Sequence, residues 1–331
     1  MTTIKSTNPL MSLTGLLQAR IIEKEGNLGT AVSRNNLNRG FELISSLTEY
    51  PALYIIKDKG LVLAAKCQSQ VSSGMVFIPD ETNDSVTEFS FSELEGLEPL
   101  GGIGSKKIND VMKAFKHKYK ATEVEKPLMI KVEDNTLTVI ADHSAIKKGI
   151  WEYKTRLWEL NTAERIIPFG LSDRSWLKIE NWKLKKAMKA TKLQNQNIID
   201  LYCEKGETNL MFHAKNDNCK RNMEYITYLP DTMTQVIETA DCSTHWKHLN
   251  GLMMKIDCTK GAAWKGKPCS DISIESNKAL LIAGIDTKGR TKNEGLINTP
   301  RFMFSIEQIK PKDSYVGVSK LKQRFRKANK T

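Results

Sequence analysis

The sequence predicts an α+β protein of two similar domains, each built from two units of one helix backed by antiparallel strands. Three observations lead there. A short motif returns four times along the 331 residues, a β-prone run precedes each return, and a helical pattern precedes each run.

The motif reads KGLVLAA, NTLTVIA, TNLMFHA and KALLIAG around Leu61, Leu137, Leu210 and Leu280, at separations of 76, 73 and 70 residues. Each copy is a polar turn, a leucine, three mainly apolar or β-prone residues and a small-residue stretch. The preceding runs are residues 53–56, 128–132, 198–202 and 272–274, joined to the motif by short turns containing Gly, Asn, Asp or Ser, which is hairpin grammar. A helix comes first in every unit. Its apolar stripe is Leu37, Phe41, Ile44 and Leu47; then Ile108, Val111, Met112 and Phe115; then Leu184, Ala187 and Met188; then Trp246, Leu249, Met253 and Ile256. Spacings of three and four place each set on one helical face. A last β-prone segment closes each unit, at residues 74–78, 149–153, 223–229 and 295–297.

The run IIPFG, from Ile166 to Gly170, carries a turn signal between the second and third units. Domains are therefore expected at 1–165 (repeats near 30–80 and 105–155) and 166–308 (repeats near 176–230 and 243–305), followed by a basic tail at 309–331. A chain of this length has room for two cores. Its longest apolar runs, such as residues 279–285, are far too short to span a bilayer, and the N-terminus lacks a basic stretch before an apolar core. Six cysteines at 67, 203, 219, 242, 258 and 269 show no CxxC spacing. These features predict an intracellular protein with reduced thiols and no membrane contact.

The net charge of +12 is unevenly placed. Residues 1–165 hold 21 basic and 21 acidic side chains, whereas 166–331 hold 29 and 17, so the whole excess lies in the second half. Residues 310–331 alone carry eight basic side chains against Asp313. The second helix carries Lys106, Lys107, Lys113, Lys116, Lys118 and Lys120 with only Asp110 opposing them. The third carries Lys178, Lys183, Lys185, Lys186, Lys189 and Lys192 with only Glu180. One such helix is an ordinary solvated face; two nearly free of acids point to a polyanion, because lysines opposite an apolar stripe neutralise phosphates without reading sequence.

Four such units resemble the sliding-clamp superfamily, the DNA polymerase processivity factors in which each domain contains two βαβββ units. The likeness covers residues 30–305 and rests on pattern and spacing. It implies a DNA-clamp-like fold whose helices line the surface facing double-stranded DNA, with a DNA polymerase as partner and a clamp loader or transcription machinery as further ones. By that resemblance the DNA-binding residues are Arg34 and Arg39 on the first helix, Lys106, Lys107, Lys113, Lys116 and Lys120 on the second, and Lys183, Lys185, Lys186, Lys189 and Lys192 on the third. The tail adds Lys320, Lys322, Arg324, Arg326 and Lys327 as an arm, a localisation signal or a partner-docking segment. The family's interdomain connector borders a pocket for client peptides, which implies docking at Ile166, Ile167, Pro168, Phe169 and Leu171; packing of Phe169 and the nearby Trp158 and Trp176 between domains is the plainer reading. In net charge the chain sits nearer the basic herpesvirus-type processivity subunits, a viral or phage-like style, than the acidic rings. Monomer, open dimer and ring therefore all stay open.

Catalysis finds little support. Cys242, His245 and His248 fall at intervals of three with Cys258 ten residues beyond, but the zinc knuckle is absent and Trp246 and Leu249 account for the segment as a buried helix. GGIGSKK, residues 101–107, has the wrong spacing for a phosphate loop and reads as a hinge into the second helix. Asp80, Glu81 and Asp84 read as solvated loop acids, and no GxSxG or HExxH occurs. Neither enzyme activity, cofactor nor metal is expected. Two rivals remain: a single-stranded DNA-binding or recombination accessory protein, which would stack bases on Tyr119, Trp182 or Phe325, and a structural or assembly protein whose basic tail alone touches nucleic acid.

Overall fold

The structure is a computed structural model that describes residues 28–82, 89–94, 97–104, 108, 110, 126–143, 149–160, 176–191, 198–216, 223–229, 236, 238–260, 267–276, 278–288, 298–309 and 323. Its first unit shows how the sequence builds the repeat. Strand β1 (Leu28–Val32) enters helix α1 (Arg34–Ile44) through Ser33, whose extended backbone and accepting hydroxyl satisfy the Asn36 amide in the first turn. Leu37, Phe41 and Ile44 are buried, as their spacing requires. Gly40 lies among them because a Cβ there would meet Ile78 at 2.4 Å, so its absence lets the helix settle onto the sheet. Strands β2 (Ala52–Ile56), β3 (Gly60–Lys66) and β4 (Ser72–Pro79) then run as a meander.

The second unit contains β5 (Gly101–Gly102), β6 (Leu128–Glu133), β7 (Thr136–Asp142) and β8 (Ile150–Arg156). Asp134 and Asn135 turn β6 into β7 with φ values of 47° and 59°, the two positive values that a two-residue hairpin loop needs. The third unit is β9 (Leu177–Glu180), α2 (Asn181–Ala190), β10 (Ile198–Cys203), β11 (Leu210–Asn216) and β12 (Met223–Leu229). The fourth is β13 (Ala240–His245), α3 (Trp246–Met253), β14 (Cys269–Ser273), β15 (Leu280–Ile285) and β16 (Arg301–Ile306).

Within each half of the chain the units exchange their first strands. β1 pairs with β6 and β5 with β2; β9 pairs with β14 and β13 with β10, all antiparallel. Two four-stranded sheets result, β1-β6-β7-β8 and β12-β11-β10-β13. The halves join where β4 pairs with β16, giving a central eight-stranded sheet, β5-β2-β3-β4-β16-β15-β14-β9. One face of that sheet, with Leu63, Val76, Ile78, Phe302 and Phe304, belongs to the main core with the apolar stripes of α1, α2 and α3. On the other face Val62, Met75 and Phe77 are covered by Phe89, Phe91 and Leu94, with Phe77 and Phe89 stacked at 3.9 Å. Burial on both faces is why LVLAA reads as a continuous apolar run instead of an alternation.

The α+β architecture of helix-plus-antiparallel-strand units is that expected. Four details differ. The strand closing the fourth unit is β16, at Arg301–Ile306, whereas residues 295–297 lie outside the described residues. Each unit begins with a strand that its side-chain pattern did not announce. Lys178 sits in β9, not on a helix, because Glu180 carries the extended backbone straight to the first turn of α2. Gly101 and Gly102 form β5 and not a hinge: Gly101 has φ +151°, and its missing Cβ leaves room for Leu157. The expected 165/166 boundary falls between β8 and β9, outside the described residues. Among the described residues no helix is long and apolar enough to cross a membrane.

Candidate nucleic-acid interface

The three described helices lie together. α2 packs beside α3, and Arg39 on α1 donates to the carbonyl of Lys255 just beyond α3 at 3.0 Å. α2 buries Leu184, Ala187 and Met188 and exposes Lys186 and Lys189, with Lys185 half-buried between them. No acidic residue occupies its first turn, and Lys189 in its last turn meets the negative end of the helix dipole favourably. Lys183 leans 3.8 Å from Glu180, which also accepts from Lys267 at 3.1 Å and from the Trp182 ring N–H. Burial raises the Glu180 pKa, yet these bonds and charges outweigh it and hold the carboxyl below its usual range.

Further cations join this surface that helix periodicity alone does not select. Lys260 lies 5.1 Å over the Trp182 ring. Lys267 is exposed, and Lys247 is the exposed cation of α3. Burial pushes the Cys258 thiol up to about 11, with the charges of Lys185, Lys288 and Lys189 opposing that rise. The signal for these cations was available, because Lys255, Lys260 and Lys267 follow one another closely in sequence.

The first helix contributes differently. Arg39 is only 12% exposed, and its guanidinium grips Asp286 with bonds of 2.7 and 3.0 Å while also bonding Glu42. Burial lowers the Arg39 pKa, but Asp286 and Glu42 outweigh it and raise the value. Arg39, expected on DNA, is thus an internal tie between the halves of the chain, because a buried carboxylate already occupies its donors. Asn36 reinforces the tie, donating to the Asn298 carbonyl at 2.6 Å and to Glu81 at 3.0 Å. Arg34 is half-buried at the start of α1, whose exposed residues include Asn35 and Asn38. This helix presents a nearly neutral face.

Several expected site residues lie outside the described residues. They are Lys106, Lys107, Lys113, Lys116, Lys120 and Lys192; the tail cations Lys320, Lys322, Arg324, Arg326 and Lys327; and the docking candidates Ile166, Ile167, Pro168, Phe169 and Leu171. The structure reassigns two acids that read as solvated. Asp80 is buried and accepts from Thr30 at 2.7 Å, the Ala31 amide at 2.9 Å and the Thr82 amide at 2.7 Å, so it ties β4 to β1. Glu81 accepts from Asn36 and Asn298. Asp84 lies outside the described residues. Cys242 and His245 stand on β13, an odd number of positions apart, so their side chains leave opposite faces, with Cys242 in the core. His248 instead bonds the Ser72 hydroxyl at 2.9 Å; burial, His245 and Lys247 all lower its pKa.

No protein-family model and no curated protein matches this chain. Solved structures do. PCNA from Thermococcus kodakaraensis superposes with a TM-score of 0.55 and 15% identity, over 86% of this chain and 99% of that one. The chain has the sliding-clamp fold. PCNA of A. fulgidus, in a structure with the C-terminal region of FEN-1 bound, matches at TM-score 0.54 and 16% identity over 85% and 98% of the two chains. A PCNA2-PCNA3 complex from Sulfolobus tokodaii matches at 0.51 and 13% over 86% and 99%. The match spans both halves of the chain, and the central eight-stranded sheet, joined where β4 pairs with β16, is the feature that needs both.

Proposed function

We propose that this chain is a non-catalytic processivity factor that holds double-stranded DNA against its helices and tethers a DNA polymerase or related replication or transcription proteins to the template. The observation that carries the reading is the joint placement of α1, α3 and α2 on one core face, with Lys185, Lys186, Lys189, Lys247 and Lys260 offered outward and Glu180 and Glu42 already paired. Such a surface neutralises phosphates without reading bases and so permits sliding. The clamp fold supports it, as does the A. fulgidus structure, in which PCNA is bound to the C-terminal region of FEN-1. Single-strand stacking is less favoured, because Trp182 is occupied by Lys260 and Glu180.

The same topology supports assembly of copies into a ring over the monomer and the open dimer. β8 and β12, each seven residues long, end the two four-stranded sheets. β8 exposes Ile150 at 69% and Trp151 at 37%, and among the described residues no strand pairs with its outer edge, which natural proteins usually cover. Pairing β8 of one copy with β12 of the next gives a head-to-tail contact between two different surfaces, which closes into a ring when the rotation allows.

The test is equilibrium binding of a long duplex by the wild type and by the triple variant Lys185→Glu, Lys186→Glu, Lys189→Glu. Because Lys186 and Lys189 are exposed and Lys185 is only half-buried, the thermal midpoint should change little. Losing three phosphate contacts should flatten the slope of log affinity against log salt by about 2.7. Unchanged affinity and slope would remove DNA from this face.

A further inference from the structure

We propose that the basic end of this chain, residues 320–331 with Phe325 among them, docks into a groove between β5, the β6–β7 turn and the segment that follows β8. The proposal is independent of whether the helix face holds DNA. The groove is a cavity of about 290 Å³ bordered by Leu100, Gly101, Asn135, Leu157, Trp158 and Leu160. It owes its shape to two glycines. A Cβ on Gly101 would lie 2.7 Å from Leu157 Cβ, and one on Gly102 would lie 2.8 Å from Leu160, so the segment after β8 rests directly on β5. Reciprocal backbone bonds of 2.8 and 2.9 Å between Gly102 and Trp158 hold it there. Beside the cavity, Trp158 is 55% and Tyr50 53% exposed, with ring centroids 5.9 Å apart.

Two large aromatics left this open beside a cavity mark a contact site, since monomer surfaces rarely cluster them. Its volume falls just below the roughly 300–1,000 Å³ of small-molecule sites and suits one large side chain presented by a peptide. The rim selects the peptide's charge. Glu159 lines the cavity, Glu98 precedes Pro99, Glu49 precedes Tyr50, and Glu133 and Asp134 precede Asn135, against Arg156 alone among these neighbours. The segment KLKQRFRKANKT has six basic side chains, no acid and one aromatic. It is complementary to this rim in both respects.

The tail also reaches. Ile306 pairs with Ser72, Ser73 with Lys66, Ala64 with Ala52 and Ala52 with Gly102, so the end of β16 and β5 lie at the same end of the central sheet. Four strand spacings separate them, about 19 Å. The chain from Ile309 to Phe325 can extend about 50 Å. Docking would withhold six positive charges from any polyanion until the groove released them.

The test is limited trypsin digestion of the full chain, with cleavage after residues 320–330 followed by intact mass and compared with the free peptide KLKQRFRKANKT. Cleavage should be about tenfold slower in the protein, and Phe325→Ala, Trp158→Ala or Glu159→Lys should each restore the peptide's rate. Glu159 is exposed, so its reversal leaves the fold in place and keeps the test decisive if the tryptophan variant fails to fold. Cleavage at the peptide's rate in the wild type overturns the proposal, as does protection that survives Glu159→Lys. Protection that appears only as protein concentration rises would move the tail to a neighbouring copy and overturn docking within one chain.

Discussion

Arg39→Met keeps the aliphatic stem of the side chain and removes the guanidinium that joins α1 to the far half of the chain. Asp286 is 1% exposed and Arg39 12%, so this is a buried pair. Exposed pairs contribute about 0–1 kcal/mol, whereas removing one partner of a buried pair costs about 3–5 kcal/mol, because the remaining charge is left uncompensated. Burial already raises the Asp286 pKa above its ordinary 3.8, with the Arg39 bond and charge opposing that rise. Without Arg39 the carboxyl moves further up. A carboxyl with a raised native pKa keeps its proton where the unfolded chain has lost it, so the native state loses stability as pH climbs from 3.8 through the raised value. The deficit of the variant is therefore largest at neutral pH and shrinks in acid. Urea unfolding of the wild type, Arg39→Met, Asp286→Asn and the double variant, at acidic and neutral pH, measures this. The double variant should recover most of the loss, since it leaves no unpaired buried charge. A neutral-pH loss below about 1 kcal/mol, or a deficit that grows on acidification, would refute the reasoning.

Two further outcomes are expected. Burial raises the Asp80 pKa, but hydrogen bonds from Thr82, Ala31 and Thr30 outweigh it and leave the value lowered; its stabilising contribution is present above 3.8 and lost as pH falls through the lowered value. Asp80→Asn should cost about 1.5–3 kcal/mol in neutral-pH denaturation, and the difference should vanish in acid; equal stability across pH would contradict the β1–β4 tie. Assembly through the β8 edge predicts a wild type larger than a monomer by sedimentation and a monomer for Ile150→Glu with Trp151→Glu, which places charge on that edge; an unchanged mass would separate assembly from this strand.

The repeat was legible because hairpins announce themselves twice, through apolar runs and through turn residues such as Asp134 and Asn135. The first strand of each unit was not: β5 is two glycines with no side-chain alternation, and β9 runs into α2 without a turn, which drew Lys178 onto the helix. Even spacing points to residues 295–297 for the strand that β16 in fact supplies, although RFMFSI carries its own apolar alternation. At the candidate site, Lys186 and Lys189 stand where helical spacing put them. Arg39 could not be read correctly, since a basic residue on a helix looks the same whether it awaits phosphate or a carboxylate 247 residues away. The second lysine-rich helix lies outside the described residues, apart from Ile108 and Asp110.

The most direct measurement is equilibrium binding of the purified wild type to a long duplex and to a matched single strand across a salt series. The account predicts preference for the duplex, with log affinity falling against log salt at a slope steeper than about −3, since at least Lys185, Lys186, Lys189 and Lys247 would release counterions. Preference for the single strand, or binding to neither, would contradict a tether that holds duplex DNA on its helices.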